Sequence, residues 1–154
     1  MLSKKIKFLK YKNRNFSINS KKVKKNDIFF AMEGSKQSGN LYSSEALSKG
    51  AYKVVTSKNT KNKNYLIVKN VNKFLAEACS AKYKEKPKNI IAVTGTNGKS
   101  SVANFYFQIL KNLKINSAAI GTLGIFYKSK VKRSNLTTPD IITIHKELNF
   151  LKKK

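Results

Sequence analysis

One stretch constrains this chain more than any other: Thr94-Gly95-Thr96-Asn97-Gly98-Lys99-Ser100-Ser101. Before it runs Ile90-Ile91-Ala92-Val93, a short apolar run that predicts a buried strand, and after it the apolar spacing over residues 99–113 predicts an amphipathic helix. Strand, glycine turn and helix in that order is the setting of a phosphate-binding loop. Gly95 and Gly98 let the backbone turn tightly and approach an anion. Successive N–H groups then converge on it, and the start of the helix adds its positive end. Lys99 can reach the β- and γ-phosphates of a nucleotide, and the Ser100 hydroxyl can ligate Mg²⁺. The general Walker pattern places a glycine six residues before the lysine. Val93 stands there, and the nearer Gly95 suggests a variant of the pattern. A plain Gly/Asn turn would also join a strand to a helix. Gly98-Lys99-Ser100 at the helix start is what favours a phosphate.

The rest of the chain reads as a small α/β unit followed by the unit that carries this turn. Phe16-Ser17-Ile18, residues 28–32, residues 52–56 and residues 65–68 are strand-like, and residues 34–40 are a loop on composition. Ser43 or Ser44 could cap a short helix that Gly50 ends, and residues 71–86 are helical in spacing before Pro87. A boundary is expected there, giving domains 1–86 and 87–154. In the second, Ser117-Ala118-Ala119-Ile120 predicts another strand, residues 124–127 a hairpin with Val131, and Asp140 the cap of a last helix from Ile141 to about Leu151. Strand, turn, helix, strand is the opening of a parallel α/β sheet.

Charge is the feature of composition that departs from average. Lys and Arg total 33 against 7 acids, a net charge of +26, and only Arg14 and Arg133 are arginines. A polyanion partner is one reading. The lysines are spread along the whole chain and accompany abundant Asn, as in residues 59–64, which fits a biased genome better than a binding surface. No specific nucleic-acid partner is therefore expected. Cys79 is the sole cysteine, which excludes an internal disulfide and a zinc cluster, and its helical apolar setting predicts a buried, inert thiol. No apolar run approaches membrane-spanning length, so no membrane insertion is expected, and residues 1–12 lack the apolar core of a secretory signal. A cytoplasmic location is the simplest expectation. His145, the only histidine, reads as a helix-surface residue and not a base.

The turn Gly95-Thr96-Asn97-Gly98-Lys99-Ser100 resembles the ATP-binding turn of the Mur ligase family, which reads GTNGK followed by Thr or Ser. Three further stretches carry the resemblance: Asn19-Ser20-Lys21 with residues 26–31 and Gly34, which look like the uridine-binding N-terminal domain; Ile120-Gly121-Thr122-Leu123-Gly124; and Leu136-Thr137-Thr138-Pro139-Asp140, similar to the branch that adds the third peptide residue. Together they run from about Phe16 to Asp140. The chain departs from the family at Asn19-Ser20-Lys21, where Asp-Ser-Arg is usual, and at Ser38-Gly39-Asn40, where a DGH-type triplet is usual; lysine lacks the planar donor fork of arginine.

The resemblance implies an α/β protein with a small uridine-binding-like domain followed by the start of a P-loop ATP-binding domain. It implies an ATP-dependent ligase of peptidoglycan-precursor synthesis. ATP would phosphorylate the carboxylate of UDP-N-acetylmuramoyl-L-alanyl-D-glutamate, and diaminopimelate or lysine would attack the acyl phosphate, giving amide, ADP and phosphate. Gly95, Thr96, Asn97, Gly98, Lys99, Ser100 and Ser101 would hold ATP, with Lys99 catalytic and Ser100 on Mg²⁺. Ile18, Ser20, Ser35, Lys36, Gln37, Thr137 and Thr138 would hold the UDP-N-acetylmuramoyl-dipeptide. Family enzymes are about three times this length. An N-terminal fragment that is inactive alone is therefore expected, with a separately encoded C-terminal half as a candidate partner. Other Mur-type ligases (D-alanyl-D-alanine-adding enzymes, folylpolyglutamate synthases) and a non-catalytic nucleotide-binding module stay open as alternatives.

Overall fold

Ile28, Phe29 and Phe30 are all buried, as befits a strand covered on both faces, and they form the centre of the first unit. A computed structural model describes residues 13–34, 37–128, 130–132 and 139–153. The chain divides into two units, residues 1–84 and 85–154. In the first, β1 (Phe16–Ser17), β2 (Ile28–Phe30), β3 (Lys53–Thr56) and β4 (Tyr65–Ile67) form an all-parallel four-stranded sheet in sequence order. Helix α1 (Ser43–Ser48) lies between β2 and β3, and α2 (Val71–Lys82) follows β4.

Register sorts the core. Phe29 pairs with Val54 and Phe30 with Val55, so adjacent residues address opposite faces. Phe29, Ala31 and Val54 pack with Val23 and with Ala46 of α1. Phe30 meets Phe16 edge-on, ring centroids 5.3 Å apart, and Phe74 of α2 at 6.4 Å. Asn70 caps α2 by accepting from the Lys73 amide, and Val71, Leu75, Ala78 and Cys79 are its buried residues. The buried thiol is as expected. The helix stops at Lys82, short of residue 86, because the backbone of Tyr83 leaves the helical region. The cap position of α1 is Tyr42, without a side-chain bond, and not a serine.

The second unit holds α3 (Lys99–Asn112), a meander of β5 (Ala118–Gly121), β6 (Gly124–Tyr127) and β7 (Lys130–Lys132), and α4 (Ile141–Lys152). Both strand pairs are antiparallel, so the hairpin reaching Val131 is present. Phe107 of α3 packs against Phe126 of β6, centroids 6.1 Å apart. Asp140 caps α4 through the amides of Ile142 and Thr143. One expectation is corrected here: residues 90–93 form no strand, and Ile90, Ile91 and Val93 are exposed. A strand exists only by pairing, and no described segment offers these residues a ladder.

Candidate functional site

Two places carry the residues singled out from the sequence. The first lies at the carboxyl edge of the parallel sheet. Because β1 and β2 run parallel side by side, the segments that follow them emerge at one edge, where open α/β sheets bind ligands. Ile18 and Ser20 follow β1; Gln37 follows β2. Ser35 and Lys36, between them in the second segment, lie outside the described residues, as do Thr137 and Thr138.

Ile18 is half-buried, and Ser20 opens a 3₁₀ turn, Ser20–Lys22, capped by the Asn19 side chain accepting from the Lys21 amide. Composition gave no sign of that turn; Asn19 standing before it was the available signal. Ser20 donates its hydroxyl to Glu45 Oε2 at 2.6 Å, and Lys49 donates to Glu45 Oε1 at 2.7 Å. These two donors, Lys49 first, hold the Glu45 carboxyl below the usual carboxylate range. Glu45 was missed from the sequence, since nothing links residues 25 apart without the fold.

The second segment folds back on itself. The Gly39 amide donates to the Met32 carbonyl at 2.8 Å, Glu33 and Ser38 form an antiparallel bridge, and Gly34 donates to the Gln37 carbonyl. Gln37 Oε1 accepts from Tyr42 in a short hydrogen bond. Asn40 donates to Glu33 and accepts from Thr56 at the end of β3. A second 3₁₀ turn, Gly39–Tyr42, then leads into α1, against which both 3₁₀ turns pack. Thus α1 brings the segments of Ser20 and Gln37 to one neighbourhood.

The other place is the turn before α3. Gly95 and Gly98 both hold positive φ, +152° and +76°, and Gly98 is the N-cap residue of α3. Asn70 and Asp140 cap α2 and α4 with side-chain oxygens, whereas α3 has no side-chain cap. Its first-turn amides therefore lack the partner that the other two helices supply, at the end where an anion is favoured. Lys99 Nζ donates to the carbonyls of Gly95 and Thr96, the latter at 3.1 Å, so the ammonium lies over the turn. Ser100 Oγ is 3.5 Å from Thr122 Oγ1, which joins the turn to the segment after β5. Thr96, Asn97 and Ser101 are exposed along the same stretch. Thr122 belongs to a stretch noted in the sequence without a role.

His145 is half-buried on α4, not on an open surface, and burial together with nearby Lys86 depresses its pKa. Among the described residues no group of His, Cys, Asp or Glu is placed to hold a metal, and no helix is long and apolar enough to cross a membrane.

Two family models match the chain one after the other: "Mur ligase family, catalytic domain" over residues 13–90 and "Mur ligase middle domain" over residues 93–154. The chain belongs to the Mur ligase family. It is 47% identical over 120 residues to the UDP-N-acetylmuramoyl-L-alanyl-D-glutamate–2,6-diaminopimelate ligase of Rickettsia montanensis, covering 77% of this chain and 25% of that enzyme. The namesake of Rickettsia bellii is 41% identical over 152 residues, 95% of this chain and 31% of the relative. Among solved structures, a diaminopimelate ligase superposes with a TM-score of 0.70 at 25% identity, over 90% of this chain and 29% of that one. A MurF ligase from Thermotoga maritima in complex with ADP superposes with a TM-score of 0.55 at 29% identity, over 66% of this chain and 24% of that one. This Mur ligase chain thus spans between about a quarter and a third of the curated relatives it matches.

Proposed function

We propose that the chain supplies the nucleotide-sugar-binding and ATP-binding portions of a diaminopimelate-adding Mur ligase. Residues 1–86 would hold UDP-N-acetylmuramoyl-L-alanyl-D-glutamate and residues 87–154 would hold ATP, in the cytoplasm. The observation that carries this reading is the glycine-led start of α3, free of a side-chain cap and bearing Lys99 and Ser100. The relatives are ligases for 2,6-diaminopimelate, which favours diaminopimelate over lysine as the incoming residue.

In this reading the backbone of residues 95–98 cradles the phosphate chain of ATP, and the amides of α3 face its negative charge. Lys99 exchanges its bonds to the carbonyls of Gly95 and Thr96 for the β- and γ-phosphates. The Ser100 hydroxyl, an oxygen donor on the turn with the Thr122 hydroxyl beside it, suits Mg²⁺. When bound, Mg²⁺ would neutralise charge on the transferred phosphoryl. Ile18, Ser20 and Gln37 would contact the nucleotide sugar, and Ser35, Lys36, Thr137 and Thr138, which lie outside the described residues, are proposed to do so as well; the carboxylate of that substrate would take the γ-phosphoryl of ATP. The amine of diaminopimelate then displaces phosphate from the acyl phosphate. Sites for that amino acid would lie on further polypeptide, with a separately encoded C-terminal half as one form of it.

The test is calorimetry with Mg-ATP on the 154-residue chain. Lys99→Ala removes a charge-assisted phosphate contact and is expected to weaken binding by about 1.5–3 kcal/mol. Equal affinities for wild type and variant would refute the ATP assignment.

A further inference from the structure

Ser20, Glu45 and Lys49 form a relay whose proton arrangement is decided by its far end. Lys49 is an ammonium and can only donate; it takes Glu45 Oε1 at 2.7 Å. Glu45 is thereby held as a carboxylate, which can only accept, and its Oε2 lies 2.6 Å from Ser20 Oγ. The single hydrogen of the Ser20 hydroxyl is therefore committed to Glu45. Ser20 is 6% exposed, so water does not randomise this orientation. Lys49 also reaches the Ser20 carbonyl at 3.4 Å, tying the 3₁₀ turn to the same pair. Any ligand group meeting Ser20 Oγ thus meets lone pairs alone and must be a donor.

We propose that Glu45 is a specificity-positioning residue that presets Ser20 Oγ as an acceptor for the imide N3–H of a uracil ring. This rests on the reading of the carboxyl edge of the parallel sheet as the nucleotide-sugar site. Uracil carries a hydrogen on N3, whereas cytosine presents a bare lone pair there. The preset hydroxyl welcomes the first and opposes the second, so the relay distinguishes the two pyrimidines through one atom. Glu45 itself need not touch the ligand.

The experiment is calorimetry on the full chain with UDP, CDP and N3-methyl-UDP. Wild type is expected to bind UDP on the order of tenfold more tightly than either of the others, the effect of one hydrogen bond lost at a buried acceptor. Glu45→Gln gives the readout a purely structural role would not move. Lys49 still demands an oxygen, so the amide nitrogen of the substituted side chain turns toward Ser20 and donates to it. The serine hydrogen is then released toward the ligand, and the UDP-over-CDP preference should fall to parity or invert in favour of CDP. Ser20→Ala should bring UDP down to the affinity of CDP. Thermal melts of the variants check that the first unit stays folded; if Glu45→Gln unfolds it, Glu45→Ala, which removes the acceptor and frees the serine hydrogen to turn to the ligand, is expected to lower the UDP-over-CDP preference in its place. With UDP bound by wild type, an unchanged UDP/CDP ratio in the folded Glu45 variant overturns the role of Glu45, and an unchanged ratio in Ser20→Ala overturns the contact by Ser20. Failure of wild type to bind UDP overturns the nucleotide-sugar reading itself.

Discussion

At Gly98 the backbone holds φ +76°, and a Cβ built there would meet no heavy atom within 4 Å. At Gly39 the added Cβ would sit 2.6 Å from the Met32 carbonyl oxygen and 2.7 Å from its nitrogen. The two glycines are thus required for different reasons, conformation at the first and space at the second. Gly98→Ala should impose a left-handed strain of about 1–2 kcal/mol on the turn, weakening Mg-ATP binding several-fold while leaving the unfolding midpoint of the first unit unchanged. Gly39→Ala must push backbone from backbone and should cost that unit about 1–3 kcal/mol or more in urea unfolding. A Gly39→Ala chain as stable as wild type would show that the loop relaxes freely. Gly98 could be singled out from the sequence because the lysine and serine after it fit the pattern of a phosphate-binding turn. Gly39 could not, since the close approach of residue 32 to residue 39 belongs to a fold that local pattern does not encode. Glu45 escaped notice for the same reason: its meaning depends on Ser20, which only tertiary structure brings near.

Among the elements, those stabilised by their own residues were the legible ones. Helices α2 and α4 begin at side-chain caps, Asn70 and Asp140, β2 is an apolar run of strand length, and β3 centres on the β-branched pair Val54-Val55. Residues 90–93 have the same apolar character but no pairing partner among the described residues, and Ile91 stays 62% exposed. Apolar pattern identifies a segment that could be a strand; a neighbouring strand makes it one. Helix α3 shows a related division. Phe107 is 5% exposed against Phe126, while Phe105, on another face, is 65% exposed. Phe107→Ala should therefore destabilise the second unit by about 3 kcal/mol, the cost of emptying an aromatic site. Phe105→Ala should change it by no more than about 0.5 kcal/mol. Chemical denaturation of the two variants, followed by circular dichroism, checks the contrast. Equal losses would mean that Phe105 is packed in solution.

For the whole molecule, the question is which steps of ligation these residues can perform by themselves. They offer a candidate phosphate-binding turn and a candidate nucleotide-sugar edge, proposed sites for two of the three substrates. Amide formation also needs the amino acid held against the acyl phosphate, and the transferred phosphoryl needs its charge neutralised. Among the described residues Ser100 is the proposed metal ligand, and no cluster of acidic, His or Cys side chains adds to it. The diaminopimelate ligases it resembles devote between 23% and 31% of their length to the part matched here. Loss of positioning alone can remove about 7–11 kcal/mol of catalytic advantage, which ATP binding cannot replace. The expected outcome is that the 154-residue chain, given Mg-ATP, UDP-N-acetylmuramoyl-L-alanyl-D-glutamate and diaminopimelate, forms no tripeptide above a Lys99→Ala control by mass spectrometry. Adding a separately expressed C-terminal portion of a diaminopimelate ligase should restore product, and Lys99→Ala should abolish that restoration. Product formed by the chain alone would show that positioning of the amino acid is already complete within these residues.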